Sequence, residues 1–229
     1  MIWQLIRGMQ GGLSDLDMAA VLVNFAAVAV VLLLCLPVHE FAHAWAAKKL
    51  GDDTAWMHGR LTLNPAKHLD LFGTLMILVV GFGYAKPVPV NPRNFKNYKK
   101  GMALTAAAGP LSNLVMAVIF RLIGNLMWLL PVGAPGDLFL LLSGFLEMLF
   151  LVNVSLMVFN LIPFPPLDGS RILDLLLPAR ASMILARYEH IMRWAVFALL
   201  LFRSPISWLS GLAARGIAAV VDFPFNLIL

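Results

Sequence analysis

Apolar positions run in long blocks along this chain, and polar ones gather between the blocks. Positions 18–38 are 21 residues without a charge, enough to cross a ~30 Å hydrocarbon core as a helix. The block continues to residue 50 and stops at Gly51, so 18–50 is predicted as one long helix. Pro37 lies inside it. A proline lacks the N–H and crowds the carbonyl four residues back, so a kink is expected two residues before His39. Residues 102–131 and 138–162 are two more long apolar helices, joined by a turn-rich PVGAPGD. Pro163, Pro165 and Pro166 break the second of them. A short helix is expected at 169–178, then two final membrane helices at 181–202 and 205–221.

The stretch 69–83 is apolar too, but as a helix it reaches only ~23 Å, short for a span. Residues 54–66 and 84–95 lack a helical period. Arg60 to Asn64 alternates, while Pro87 and Pro89 permit extended chain only at an edge. Residues 1–17 suit an interfacial lead, with Trp3 and Arg7 at headgroup level. The expected fold is therefore an all-α polytopic membrane protein. It has about five membrane-spanning helices, a re-entrant or interfacial segment at 69–83, and short extended strands at 54–66 and 84–95. No internal repeat is evident, and 1–229 reads as a single domain.

Composition agrees: 61% of residues are hydrophobic, 13% are charged, and the mean hydropathy is +0.86, where a soluble domain is about half apolar and a quarter charged. The net charge of +5 does not point to nucleic acid. The basic residues sit in short stretches between apolar blocks (Lys48 and Lys49, Lys86 to Lys100, Arg171 to Arg193), the positive-inside bias of cytoplasmic loops. If 69–83 spanned, the five basic residues of 84–101 would lie outside, against that rule. If it is re-entrant, both basic stretches are cytoplasmic, 102–131 runs outward, 138–162 runs back, and Asp168 returns to the side of His39. The first apolar run is too long for a signal-peptide core and reads as a retained helix. The lone Cys35 allows no internal disulfide and is expected to pack.

Against this background His39-Glu40-Phe41-Ala42-His43 stands out. Histidines at i and i+4 share one helical face, close enough to share a metal. The glutamate between them can reach a water on that metal and take its proton. Zinc brings such a water's pKa towards ~7. Histidine and glutamate in an apolar helix are costly unless they have partners or work to do. A catalytic zinc needs a third protein ligand, with the fourth position open. His58, His68, His190 and a carboxylate are the choices. Asp168, after a proline-broken membrane helix and before Gly169, fits as an exposed carboxylate at membrane depth. It fits equally as the N-cap of 169–178.

HEFAH at the end of a membrane helix, Ala108-Gly109-Pro110-Leu111-Ser112-Asn113 in a second, and NLIPFPPLDG after a third together resemble the site-2 protease family of intramembrane zinc metalloproteases. The stretches GRLTLNPAKHLD and AKPVPVNPRNF resemble its compact branch. The likeness covers roughly 18–175, the expected catalytic core, with C-terminal helices at 180–221. It implies that His39, His43 and Asp168 bind one zinc ion per chain and that Glu40 is the catalytic base. It also implies that Asn160, eight residues before the aspartate, contacts substrate or the developing oxyanion. Other members carry an inserted PDZ domain or a C-terminal CBS pair. This chain has room for neither, which leaves regulation to a membrane partner.

The expected function is hydrolysis of peptide bonds within transmembrane segments of single-pass proteins. It would occur in a prokaryotic cell membrane with the site towards the cytoplasm. A metal transporter or sensor would need ionisable residues strung along a pathway, whereas here they gather at one depth. An idle scaffold would not need an intact HExxH with its aspartate. His58 and His68 are expected to make interfacial hydrogen bonds, and His190 to lie on a solvated face. Arg121 and Glu147 fall at matching depth in a hairpin folded about residue 134 and are expected to pair. One extended stretch is expected to pair with an unwound substrate segment by strand addition.

Overall fold

The computed structural model describes residues 18–80, 83–130, 136–192, 194, 196 and 204–227. Helix α1 (Met18–Val30) passes without a break through a π-helical turn, Val31–Cys35, into α2 (Leu36–Lys49). Two single-turn helices follow, α3 (Thr54–Met57) and α4 (Pro65–His68), then α5 (Leu71–Val80). The long helices α6 (Tyr98–Trp128) and α7 (Asp137–Leu161) form a hairpin. Helices α8 (Asp168–Leu176), α9 (Ala179–Arg187) and α10 (Ser204–Asp222) complete the chain.

Among the described residues, three helical stretches are long and apolar enough to cross a membrane: Val21–Lys49, Tyr98–Trp128 and Asp137–Leu161. The sequence pattern leads to about five. Of the expected 181–202 helix, residues 193, 195 and 197–202 lie outside the described set, as does the lead at 1–17. Helix α5, at 10 residues, is about 15 Å long and too short to cross ~30 Å of hydrocarbon.

The expected strands at 54–66 and 84–95 do not form. The alternating residues 60–64 run irregularly up to Asn64, which accepts from the Ala66 N–H at 3.0 Å and, with Pro65 behind it, caps α4. At 84–95, Pro87 and Pro89 remove the donors a ladder needs. One antiparallel bridge, Leu69 to Ala85, remains.

Helix α6 is the hub, packing on α2, α7 and α8. Its buried face is mostly small or polar, with Ala103, Ala106, Gly109, Asn113 and Ala117 at helical spacing and Met116 the one large apolar residue among them. Small side chains let membrane helices approach closely where no hydrophobic force drives them together. Its opposite face, Leu104, Leu111, Val115, Ile119 and Ile123, is exposed, as a lipid-facing stripe must be. Phe150 and Val154 of α7 pack with Ala117 and with Ala214 of α10. At the far end of the hairpin Arg121 does bond Glu147. It also forms a forked pair with Asp222 of α10, at 2.8 Å from Nε and 2.5 Å from Nη2. Asn125 adds a 2.7 Å bond to Asp222.

Candidate metal centre

The π-turn ends two residues before Pro37. The carbonyl that proline would crowd belongs to Leu33, inside the widened turn, and the Leu36 N–H bonds back five residues to Val31. The kink expected from Pro37 thus takes the form of a local π-bulge, after which α2 carries His39, Glu40 and His43 towards α6.

The Nε2 atoms of His39 and His43 stand 3.0 Å apart, and Asp168 Oδ2 lies 3.4 and 3.3 Å from them. Both rings are buried. Asp168 is the first residue of α8, whose N-cap position is taken by Leu167 with no side-chain capping bond. Asp168 Oδ2 receives no hydrogen bond, although it is buried. Burial alone would raise this carboxyl. When the two imidazoles are protonated, hydrogen bonds and charge from His39 and His43 outweigh burial and hold it at about 2.

The outer contact of His43 fixes which of its ring nitrogens holds the proton, and the orientation of the Asn113 amide decides it for His39. His43 Nδ1 lies 2.8 Å from the Thr105 carbonyl, which only accepts, so Nδ1 carries the hydrogen and Nε2 presents a lone pair. His39 Nδ1 is 3.2 Å from the Asn113 side-chain amide, whose oxygen otherwise has no donor. With that oxygen turned to His39, Nδ1 donates to it and the second Nε2 also presents a lone pair. Two lone pairs and a carboxylate oxygen then face one another across 4.8 Å or less, an arrangement that repels unless a cation sits among them. Two imidazole nitrogens and one carboxylate oxygen form a donor set that suits zinc with one position open. A Cβ on Gly109 would run into both imidazole rings, and one on Gly169 would strike the Leu161 and Ile162 carbonyls. Both glycines therefore allow close approach of α6 and α8 to the site.

Glu40 accepts a hydrogen bond from the Val88 backbone N–H at 3.3 Å. Asn160, in the last turns of α7, donates to its own Leu156 carbonyl at 2.9 Å. The remaining histidines lie elsewhere: His58 bonds the Thr54 carbonyl at 2.8 Å, buried His68 bonds the Thr62 carbonyl at 2.7 Å, and His190 lies edge-on to Trp194. Cys35 is buried and receives an N–H from Asn153 at 3.4 Å. The histidine–histidine–aspartate set is the one group among the described residues whose donor atoms could hold a metal ion. Sequence reasoning missed Thr105 altogether and assigned no role to Asn113, although Asn113 stands in a quoted motif. A backbone carbonyl has no signature, and contacts 62 and 74 residues apart are not visible as spacing.

Peptidase family M50 matches residues 27–139 and 136–203. Three relatives carry the name "Putative zinc metalloprotease". YwhC of Bacillus subtilis is 46% identical over 67% of this chain and 71% of its own length. Rip2 of Mycolicibacterium smegmatis is 32% identical over 60% of this chain and 52% of its own length. MJ0611 of Methanocaldococcus jannaschii is 29% identical over 59% and 62%. No solved structure matches the chain. With a family match over most of its length and a metal-ready site at the end of a spanning helix, this chain belongs to peptidase family M50, the site-2 protease family.

Proposed function

We propose that this membrane-embedded zinc metalloprotease uses His39, His43 and Asp168 as its metal ligands and Glu40 as its base. Its substrates are peptide bonds in the membrane segments of single-pass proteins. The observation that carries this reading is the convergence of three electron-rich donors, one of them an orphaned buried carboxylate oxygen, at the end of a membrane-spanning helix.

When bound, zinc supplies a Lewis acid that makes water a usable nucleophile near neutral pH. Glu40 accepts the proton that water gives up as it attacks the scissile carbonyl, then returns it to the leaving amine. Asn160 has a second amide N–H beyond the one spent on Leu156, available for the developing oxyanion. Thr105 and Asn113 hold the two imidazoles in the tautomer that points Nε2 inward. Lys48 and Lys49 at the end of α2 favour the cytoplasmic side for the site. The whole chain, 1–229, acts as one domain, with its catalytic core in 18–175. Any regulatory partner meets it within the membrane.

The test is Glu40→Gln in native membranes. It is expected to keep stoichiometric zinc, lose cleavage, and co-purify a trapped single-pass protein that the wild type cuts. A variant that still cleaves at the wild-type rate removes Glu40 from this role.

A further inference from the structure

Three backbone amides tie residues 85–91 down. Lys86 N–H donates to the His68 carbonyl at 2.7 Å, Val88 N–H to Glu40 Oε2 at 3.3 Å, and Asn91 N–H to Asp52 Oδ2 at 2.8 Å. Glu40 lies on α2 and Asp52 follows its end, so two of the three bonds join this stretch to the helix bearing the metal ligands or to the turn after it. The middle bond is singular. Pro87 and Pro89 have no N–H, so Val88 supplies the one donor of the Pro-Val-Pro run. Each proline also drives the residue before it to extended backbone, which fixes how Val88 is presented.

The anchor beyond is built as a clamp. Asp52 is fully buried, and its carboxylate also accepts from Thr54 N–H at 3.1 Å and Asn94 Nδ2 at 2.6 Å.

We propose that residues 85–91 form a strap that positions Glu40, with Val88 as the positioning residue and Asp52 as its clamp. This rests on the reading of Glu40 as the base. A glutamate side chain loses rotamer freedom when fixed. The strap fixes it before substrate arrives. Val88 N–H occupies one carboxylate oxygen and leaves the other open to water, so the base needs no search for its working orientation.

The test uses the full chain, loaded with zinc in detergent micelles. Carbonyl-labelled proline with nitrogen-labelled valine singles out the Pro-Val amides, Val88 and Val90 among them. Val88 should exchange its amide hydrogen at least tenfold more slowly than Val90, whose amide makes no hydrogen bond among the described residues. Glu40→Ala should erase that difference with zinc content unchanged. Fast exchange at Val88, or slow exchange that ignores Glu40→Ala, overturns the strap.

A second arm replaces Val88 by its α-hydroxy acid, which swaps the N–H for an ester oxygen. Cleavage of a fluorescein-labelled single-span peptide should lose about tenfold in kcat, since a small misplacement of a catalytic group is costly, with KM within twofold. The same change at Val90 should alter neither. An unchanged kcat, or a loss confined to KM, contradicts the proposal. If the wild type does not cut the peptide, the exchange arm still decides the strap, and only the protease reading fails.

Discussion

His39 and His43 were legible because four residues make one helical turn, so sequence spacing is spatial spacing. Asp168 was not legible in that way. Its distance from His39 in the chain is closed only by the α6–α7 hairpin, and residue by residue it could equally have capped α8. The family resemblance, not the spacing, favoured it. Asn113 needed the fold entirely, because its role depends on α6 lying against α2. Its contact with His39 makes a quantitative prediction. Asn113→Leu removes the acceptor for the His39 Nδ1 hydrogen, and zinc affinity measured by chelator competition should fall by about 10- to 100-fold. Asn113→Asp keeps an acceptor oxygen and should bind zinc more tightly than the leucine variant. Equal affinities for the two would mean that Asn113 merely fills space.

Among elements, the membrane helices were visible because length and unbroken apolarity are one-dimensional properties. The segments between them were misread. Alternation at 60–64 looked like a strand, yet that stretch runs irregularly into the Asn64-Pro65 cap of α4, and the two prolines beyond removed the ladder donors. What holds 84–95 instead is polar and long-range. Burial by itself raises the Asp52 carboxyl, but the donors from Thr54, Asn91 and Asn94 more than offset it and hold it below its ordinary value of 3.8. A carboxyl depressed on folding stabilises the protein above its unfolded value, and that contribution fades as pH falls through the folded one. Asp52→Asn leaves at least one buried donor without an acceptor and should cost about 1–3 kcal/mol near neutral pH. The gap between wild type and variant, followed by denaturant unfolding in micelles, should shrink as pH is taken below 3.8. A gap independent of pH would show that the carboxylate charge plays no part.

At the scale of the molecule, the hairpin arithmetic paired Arg121 with Glu147 but could not foresee Asp222, which reaches them from α10, 101 residues beyond Arg121. The resulting order of effects is specific. Glu147→Gln leaves Arg121 its forked pair with Asp222 and should be mild. Arg121→Leu strands two carboxylates among membrane helices and should cost on the order of 3 kcal/mol, read as the shift in thermal unfolding in micelles. If the two variants are equally stable, the triad does not hold α10 to the hairpin. The same folding closes the metal site: α7 returns the chain to the level of α2, and α8 presents Asp168 to the two histidines. Everything proposed for the function depends on that closure. Zinc K-edge absorption on the purified full chain tests it most directly. The account predicts one zinc per chain, with two histidine nitrogens and one carboxylate oxygen at about 2.0–2.2 Å and no sulfur. Asp168→Asn should alter that shell. A sulfur at about 2.3 Å, or a shell unchanged by Asp168→Asn, would contradict it.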